Sequence, residues 1–295
     1  MRRVMATRKL HSKSASMAHA KSTLSPTPEA IAAHYASGHE AGRLQQAAGK
    51  LDRERTRELL ERLLPHAPAT ALDIGGGPGG HALWLATRGY QVHLIDITPL
   101  HVEMARQAST CQPKAPLASA EVGDARALSW LPATADAILL FGPLYHLTNP
   151  EDRLQALRET HRLLRPGGVL LAVAISRFAS ALDGLCRGFL KDPQFAEIVR
   201  RDLIDGQHRN STGRPEYFMD TFFHHPEELR GEVAEAGFKA VSIYGVEGPG
   251  WLVSEFEGWW ENIEYRDRLL QLARAVETEP SLLAASAHLM AVAAR

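Results

Sequence analysis

Cysteine is scarce in this sequence, with only Cys111 and Cys186 among 295 residues. The two lie far apart and form no Cys-x-x-Cys pair, and no cluster of cysteine and histidine has the spacing of zinc ligands. This excludes a disulfide-stapled fold and a structural zinc site. We predict two reduced thiols and no metal site.

A long apolar run is also missing, since no stretch approaches the ~20 residues that a membrane-spanning helix needs. Residues 1–28 carry six basic residues and no acidic one, yet they lack the apolar segment of a secretory signal. We interpret residues 1–26 as a disordered basic tail. The sequence thus predicts a cytoplasmic protein without a membrane partner.

The chain has no excess of charge of either sign, with 33 Lys and Arg against 34 Asp and Glu. Because the tail is basic, the remainder is acidic, unlike the positive surface of a nucleic-acid-binding protein. The hydrophobic content of 45% is ordinary for a soluble globular chain with a sizeable core. We therefore expect a small-molecule substrate and no nucleic acid.

Short apolar runs alternate with helical patterns over most of the chain. The predicted strands cover residues 71–74, 91–95, 118–122, 135–141, 169–175, 239–245 and 287–293. The predicted helices cover residues 50–64, 80–88, 99–108, 178–190, 194–205, 226–236 and 262–276, with another that begins at Asn149-Pro150-Glu151. This alternation indicates βαβ units and a mainly parallel sheet.

A glycine-rich loop, Gly75-Gly76-Gly77-Pro78-Gly79, joins the first strand to the next helix. Glycine lets the backbone turn sharply and approach a ligand closely, and the helix N-terminus that follows suits an anion. Gly75, Gly77 and Gly80 also match a dinucleotide-binding pattern, so a nicotinamide or flavin cofactor has to be weighed.

Three aspartates favour S-adenosylmethionine (SAM) over a dinucleotide. Asp73 precedes the glycines by two residues, where it suits an amino group and would repel a pyrophosphate. Asp96 ends the second strand and can accept from both ribose hydroxyls, as it also could in an NAD site. Asp124 follows the third strand, where it can accept from an adenine amino group.

With these motifs the chain resembles a class I SAM-dependent methyltransferase, close to the ubiquinone/menaquinone C-methyltransferase group. The likeness covers residues 50–175 and includes Leu163-Leu164-Arg165-Pro166-Gly167-Gly168. It implies a Rossmann-like α/β fold, with a seven-stranded mainly parallel sheet, an antiparallel last strand and a helical insertion after strand 5. It implies cofactor contacts from Asp73, Gly75, Gly76, Gly77, Gly79, Asp96, Ile97, Gly123, Asp124, Ala125 and Phe141.

The resemblance also divides the chain into segments. From this resemblance we expect residues 27–66 to form an N-terminal helical lid, with Tyr35 over the sulfonium and Arg43 on the methionine carboxylate. Residues 67–176 form the SAM-binding core, and residues 177–225 form a substrate-side insertion. Residues 226–295 complete the sheet and include a loop over 246–262.

The sequence says less about which acceptor atom is methylated than about the cofactor. The fourth strand ends in Phe141-Gly142-Pro143-Leu144-Tyr145-His146, which differs from the Asn/Asp-Pro-Pro-Tyr/Phe type that holds a planar amino group. We predict Tyr145, His146 and the insertion's His208 as catalytic residues. The predicted substrate-binding residues are Arg177, Tyr217, His224, Glu247 and Trp251.

The leading hypothesis is a SAM-dependent methyltransferase, monomeric or homodimeric, that methylates O, N, S or C of a small molecule by in-line displacement. A general base is needed only if the acceptor must lose a proton. The alternatives are a nucleic-acid or protein methyltransferase, a SAM-binding protein without catalysis, and an NAD-dependent oxidoreductase.

Overall fold

A computed structural model describes Thr27 and residues 49–295. The predictions for the tail, and for Tyr35 and Arg43 in the lid, lie outside these described residues. The strands are β1 (Thr70–Ile74), β2 (Gln91–Asp96), β3 (Ser119–Val122), β4 (Ala135–Phe141), β5 (Leu164–Ser176), β6 (Gln207–His208), β7 (Thr221–His224), β8 (Lys239–Gly245) and β9 (His288–Ala294).

The main sheet has the strand order β3-β2-β1-β4-β5, and these five strands are parallel. On the far side of β5 the sheet continues with β9, which is antiparallel to both β5 and β8. The predicted Rossmann-like α/β fold, mainly parallel with an antiparallel last strand, is confirmed. In parallel sheets of this kind the ligand site lies at the carboxyl ends of the strands.

The insertion after β5 contributes two further strands that the sequence did not predict. Strand β7 pairs in parallel with the last two residues of β5, and β6 pairs antiparallel with β7. All four residues of β7 are buried. The second half of the insertion is therefore joined to the sheet by backbone hydrogen bonds.

The helices in the described part of the chain are α1 (Gly49–Leu63), α2 (Gly80–Thr87), α3 (Pro99–Thr110), α4 (Pro143–His146), α5 (Pro150–Leu163), α6 (Ala179–Arg187), α7 (Pro193–Asp205), α8 (Pro226–Glu235), α9 (Phe256–Glu261) and α10 (Ile263–Val276). Side chains cap four of them: Asn149 starts α5, Asp192 starts α7, His225 starts α8 and Asn262 starts α10. Each accepts a backbone N–H that the first helical turn leaves unpaired. None of these described helices is long and apolar enough to cross a membrane.

The core lies on both faces of the sheet because successive strand residues point to opposite sides. On one face, Leu139 and Leu171 pack in a cluster with residues of α1, α2 and α3. On the other face, Ile138 and Leu170 pack in a cluster with residues of α5 and α8. Helix α1 therefore packs on one face of the sheet. Its Asp52, Arg53 and Arg57 lie near the carboxyl ends of the strands.

Strand β5 begins earlier than predicted, at Leu164 instead of residue 169. Leu164 pairs with Ala135, and the pairing then shifts register before Val169 pairs with Ala137. The intervening Arg165-Pro166-Gly167-Gly168 forms the irregularity. These four residues thus lie within strand β5.

Candidate active site

One cavity of about 940 Å³ opens at the carboxyl ends of the central strands. Small-molecule sites generally measure ~300–1,000 Å³, so the volume suits a cofactor with a small acceptor beside it. Its floor comes from the ends of β1, β2, β4 and β5, one wall from α1, and the opposite wall from the insertion.

The glycine loop after β1 forms part of the cavity wall. Gly75 has a φ of +80°, and a Cβ placed on it would lie 2.6 Å from the carbonyl oxygen of Phe141 and 2.5 Å from Cδ of Pro143. Gly77 and Gly79 also have positive φ. Only glycine combines this backbone conformation with such close approach, so the loop can lie directly against a ligand.

Asp73 is the most exceptional group in the cavity. Its side chain is buried, and neither carboxylate oxygen meets a donor at hydrogen-bonding geometry among the described residues. Burial and the neighbouring Asp96 carboxylate raise the pKa of Asp73 to about 7, although the nearby Ala82 N–H opposes the shift. A buried carboxylate without a partner is costly, and an ammonium group would satisfy it. The amino group of SAM carries that charge.

Asp96 is held rigidly at the end of β2. One carboxylate oxygen accepts the N–H of Gly77 at 2.8 Å, and the other accepts the N–H of Thr98 at 2.8 Å and faces Nδ1 of His101 at 3.3 Å. Burial alone would raise the pKa of Asp96, but His101 and the backbone donors outweigh it and lower the pKa. Asp96 is therefore an ionised acceptor that suits ribose hydroxyls.

Two arginines on α1, Arg53 and Arg57, line the cavity near the glycine loop and were missed in the sequence. The Nε atom of each is buried and has no hydrogen-bond partner within the described range. Beside them, burial and both arginines lower the pKa of His81 to about 4, so its ring is neutral. An anion fits here, and a carboxylate pairs well with guanidinium groups.

The spacing of these arginines is a signal that could have identified them. They lie four residues apart and so share one side of the helix. The sequence analysis assigned the methionine carboxylate to Arg43 in the lid, which is not among the described residues. Within the described residues, Arg53 and Arg57 are cations suited to that role.

Asp124 lies at the edge of the cavity with Gly123 and Ala125. Its carboxylate accepts from the guanidinium of Arg126 at 2.6 Å and from the Arg126 N–H at 2.9 Å. Arg126 also bonds to Asp152 at 3.0 Å. The predicted adenine contact therefore involves a carboxylate already fixed by an arginine.

Tyr145 and His146 form the end of α4 and line the cavity. Their ring centroids are 4.7 Å apart, and His146 is buried. Tyr145 packs against a cluster that contains Ile175 and Phe223. The structure thus brings both predicted catalytic residues to the junction between the glycine loop and the insertion.

His208 also lines the cavity, but both of its ring nitrogens are engaged. Nδ1 lies 2.8 Å from Oδ2 of Asp202, Nε2 lies 2.7 Å from the carbonyl oxygen of Tyr217, and the ring stacks on Phe223. Asp202 in turn accepts from Ser180. These bonds tie the insertion together and leave no nitrogen to receive a proton from a substrate, contrary to the catalytic role predicted for His208.

The predicted substrate-binding residues divide into two groups. Tyr217 and Trp251 line the cavity, whereas Arg177, His224 and Glu247 do not. Arg177 donates to the carbonyl oxygen of Phe223 at 2.9 Å and to Glu228. Arg177 therefore lies outside the cavity, where β7 and α8 use its hydrogen-bond donors internally.

His224 is likewise committed to the fold. Its Nε2 lies 3.1 Å from Glu232 of α8, and Glu232 also pairs with Arg153 at 2.6 Å. Burial alone would raise the pKa of Glu232, but His224 and Arg153 lower it to about 2. Burial lowers the pKa of His224. The residue thus belongs to a buried hydrogen-bond network that joins the insertion to α8, and not to the cavity wall.

Comparison with known proteins agrees with this site. A family model described as a methyltransferase domain matches residues 71–168. The ubiquinone/menaquinone biosynthesis C-methyltransferase UbiE of Caulobacter sp. is 30% identical over 214 residues, covering 67% of this chain and 78% of that protein. Demethylmenaquinone methyltransferase of Deinococcus radiodurans is 29% identical over 193 residues, covering 64% and 76%.

A solved structure shares the fold. Phosphoethanolamine N-methyltransferase 2 of Haemonchus contortus, in complex with SAM, superposes with a TM-score of 0.53 at 18% identity, covering 82% of this chain and 52% of that one. The orphaned Asp73 carboxylate and the close-approach glycines fit SAM as the cofactor. The chain belongs to the class I SAM-dependent methyltransferases and is similar to the ubiquinone/menaquinone C-methyltransferases.

Proposed function

We propose that this methyltransferase acts on a small planar acceptor that binds between the cofactor and the insertion. The observation that carries the proposal is the continuity of the cavity. It joins Asp73 and Asp96 on the cofactor side to Tyr217, Phe218 and Phe223 on the other side. Aromatic walls favour a flat ring, because offset and edge-on ring contacts stabilise it.

The chain's own residues would position SAM in four places. Asp73 would take the amino group, Arg53 the carboxylate, Asp96 the ribose hydroxyls, and the Gly123–Asp124 backbone the adenine. When bound, SAM supplies an activated methyl group on a sulfonium. The protein then has to align the acceptor and exclude water, which the half-buried Tyr145, the buried His146 and the aromatic wall would do.

The relatives suggest the acceptor class. Two are named for methylation in ubiquinone and menaquinone synthesis and for demethylmenaquinone. A reduced, hydroxylated quinone ring fits aromatic walls, whereas a nucleic acid would need a positive surface that the balanced composition does not supply. We therefore place quinol-like rings first among acceptors.

The test is methyl transfer from tritiated SAM by the purified full chain. We expect label in a short-chain demethylmenaquinol, and no transfer by the Asp96→Ala variant. Label in bulk RNA, with the steep salt dependence of backbone contacts, or label in protein would contradict the small-molecule proposal.

Asp73 predicts how SAM binding depends on pH. Its folded-state pKa is raised to about 7, so the empty cavity holds a proton on Asp73 below that pH. An ammonium group binds the ionised form, so it has to displace this proton. We expect affinity for SAM to fall by up to about tenfold per pH unit below pH 7. It should fall again above about pH 8, where the free amino group of SAM loses its proton, and calorimetry measures both limbs.

The raised pKa of Asp73 also predicts how the stability of the empty enzyme depends on pH. The unfolded Asp73 ionises near its ordinary pKa while the folded one keeps its proton, so this residue lowers stability as pH rises from about 4 to 7. Asp73→Asn should therefore raise the melting temperature at pH 8 while weakening SAM binding. A variant that melts lower at pH 8 would argue against the buried, unpaired carboxylate.

A further inference from the structure

Another histidine, absent from the sequence predictions, lines the cavity. His288 begins β9 and pairs with Ile175 at the carboxyl end of β5, while Val173 pairs with Phe141 of β4. Paired residues present their side chains on the same face, so His288 shares the cavity face with Phe141. From strand spacings, their Cα atoms lie about 12 Å apart, on opposite sides of the β5 end.

Behind His288 lies Glu247, which is 1% exposed. Its Oε1 bonds to Nδ1 of His288, and its Oε2 accepts the His288 N–H at 3.0 Å and the Ser286 hydroxyl at 2.7 Å. Burial alone would raise the pKa of Glu247, but His288 and Ser286 outweigh it and lower the pKa. An ionised carboxylate on Nδ1 fixes the proton there and makes Nε2 the basic nitrogen.

Among the described residues, two charged side chains of α1 lie close to this pair. Asp52 of α1 lies 4.0 Å from Nδ1 and also lines the cavity. Arg55, on the same helix, reaches the carbonyl oxygen of Val246, but its guanidinium is paired with Glu58 and Glu277. His288 therefore faces two carboxylates, which stabilise a positive charge on its ring.

Asp52, Glu247 and His288 could also be considered as metal ligands, since their ligand atoms lie within 4.8 Å of one another. However, Nδ1 of His288 and Oε1 of Glu247 are within hydrogen-bond distance of each other, and the other Glu247 oxygen already accepts two donors. A shared proton, and not an ion, accounts for this geometry.

We infer that His288 is the general base of the transfer and that Glu247 positions it. The inference rests on the proposed small-molecule function and narrows the acceptor to one that loses an O–H or N–H proton, such as a phenol or quinol. The acceptor's electron pair forms the new bond to the methyl group, and the C–S bond breaks with its electrons going to sulfur. The acceptor's proton passes to Nε2 of His288, giving an imidazolium beside Glu247 and Asp52.

The test uses 4-nitrophenol, whose phenolate is coloured, with S-adenosylhomocysteine bound to the purified full chain. At a pH where the free probe is mostly protonated, the wild type should bind it and ionise it, so the phenolate absorbance appears. His288→Gln should bind S-adenosylhomocysteine as the wild type does but lose this absorbance. Glu247→Gln should weaken it, and His66→Gln, an exposed histidine outside the cavity, should leave it unchanged.

Three results would overturn the inference. In the first, the wild type does not ionise the probe. In the second, the wild type and His288→Gln give equal phenolate absorbance. In the third, the absorbance appears only with added Zn²⁺ and disappears in Asp52→Asn. The last would make the cluster a metal site. If the wild type did not bind S-adenosylhomocysteine at all, the proposed function would be contradicted. Failure of the proposed function can thus be distinguished from failure of the general-base inference.

Discussion

Asp96→Ala is expected to weaken SAM binding by about 100-fold or more. Hydrogen bonds to a charged group contribute about 1.5–3 kcal/mol each, and Asp96 would accept one from each ribose hydroxyl. The substitution also removes the acceptor that fixes the Gly77 and Thr98 N–H groups, so the glycine loop loses its anchor to β2. Calorimetric titration with S-adenosylhomocysteine measures the effect directly.

The matched control is Asp267→Asn, because Asp267 is an exposed acid on α10 away from the cavity. It should bind as the wild type does. An Asp96→Ala enzyme with wild-type affinity would show that the ribose lies elsewhere, and it would remove the main support for the proposed cofactor orientation.

Gly75→Ala is expected to lower both stability and SAM binding. A Cβ at this position would overlap the carbonyl oxygen of Phe141 and the ring of Pro143, and φ is +80°. The left-handed backbone costs about 1–2 kcal/mol, and overpacking costs about 1–3 kcal/mol more. Thermal unfolding should show a melting temperature lower by roughly 5–10 °C.

Gly231→Ala is the control for this substitution. Gly231 lies inside α8, and a Cβ there meets nothing within 4 Å. Alanine in a helix interior should stabilise the protein by about 0.5–1 kcal/mol and leave SAM binding unchanged. If Gly75→Ala were as stable as the wild type, the loop would not be packed against the end of β4 as described.

The cofactor half of the cavity could be predicted because its signals are local in sequence. The strand–glycine–helix pattern around Gly75 and the aspartates at strand ends depend on neighbours a few residues away. Parallel pairing then brings the ends of adjacent strands together, which places Asp73 beside Asp96. The topology thus followed from the alternation of strands and helices.

The acceptor half could not be predicted in the same way. Arg177 and His224 look like substrate ligands in the sequence, yet Glu228 and Glu232 of α8 satisfy them. Conversely, His288 acquires its significance from Glu247, 41 residues away, and from Asp52 on α1. Which polar residues are used internally depends on tertiary contacts that no local pattern encodes.

The helix α1 illustrates both cases. The helix itself was predicted over residues 50–64, and its Leu59 and Leu60 are buried against the sheet. Its functional face was missed, because Asp52, Arg53 and Arg57 would be ordinary surface charges on an isolated helix. Covering the carboxyl ends of the strands turns them into cavity groups.

The most direct test of the proposed cofactor site is a crystal structure of the full chain with S-adenosylhomocysteine. We predict ribose hydroxyls within hydrogen-bond distance of the Asp96 carboxylate, the amino group on Asp73 and the carboxylate facing Arg53. A ligand whose ribose lies away from Asp96, with Asp73 still lacking a partner, would contradict the assignment of this cavity.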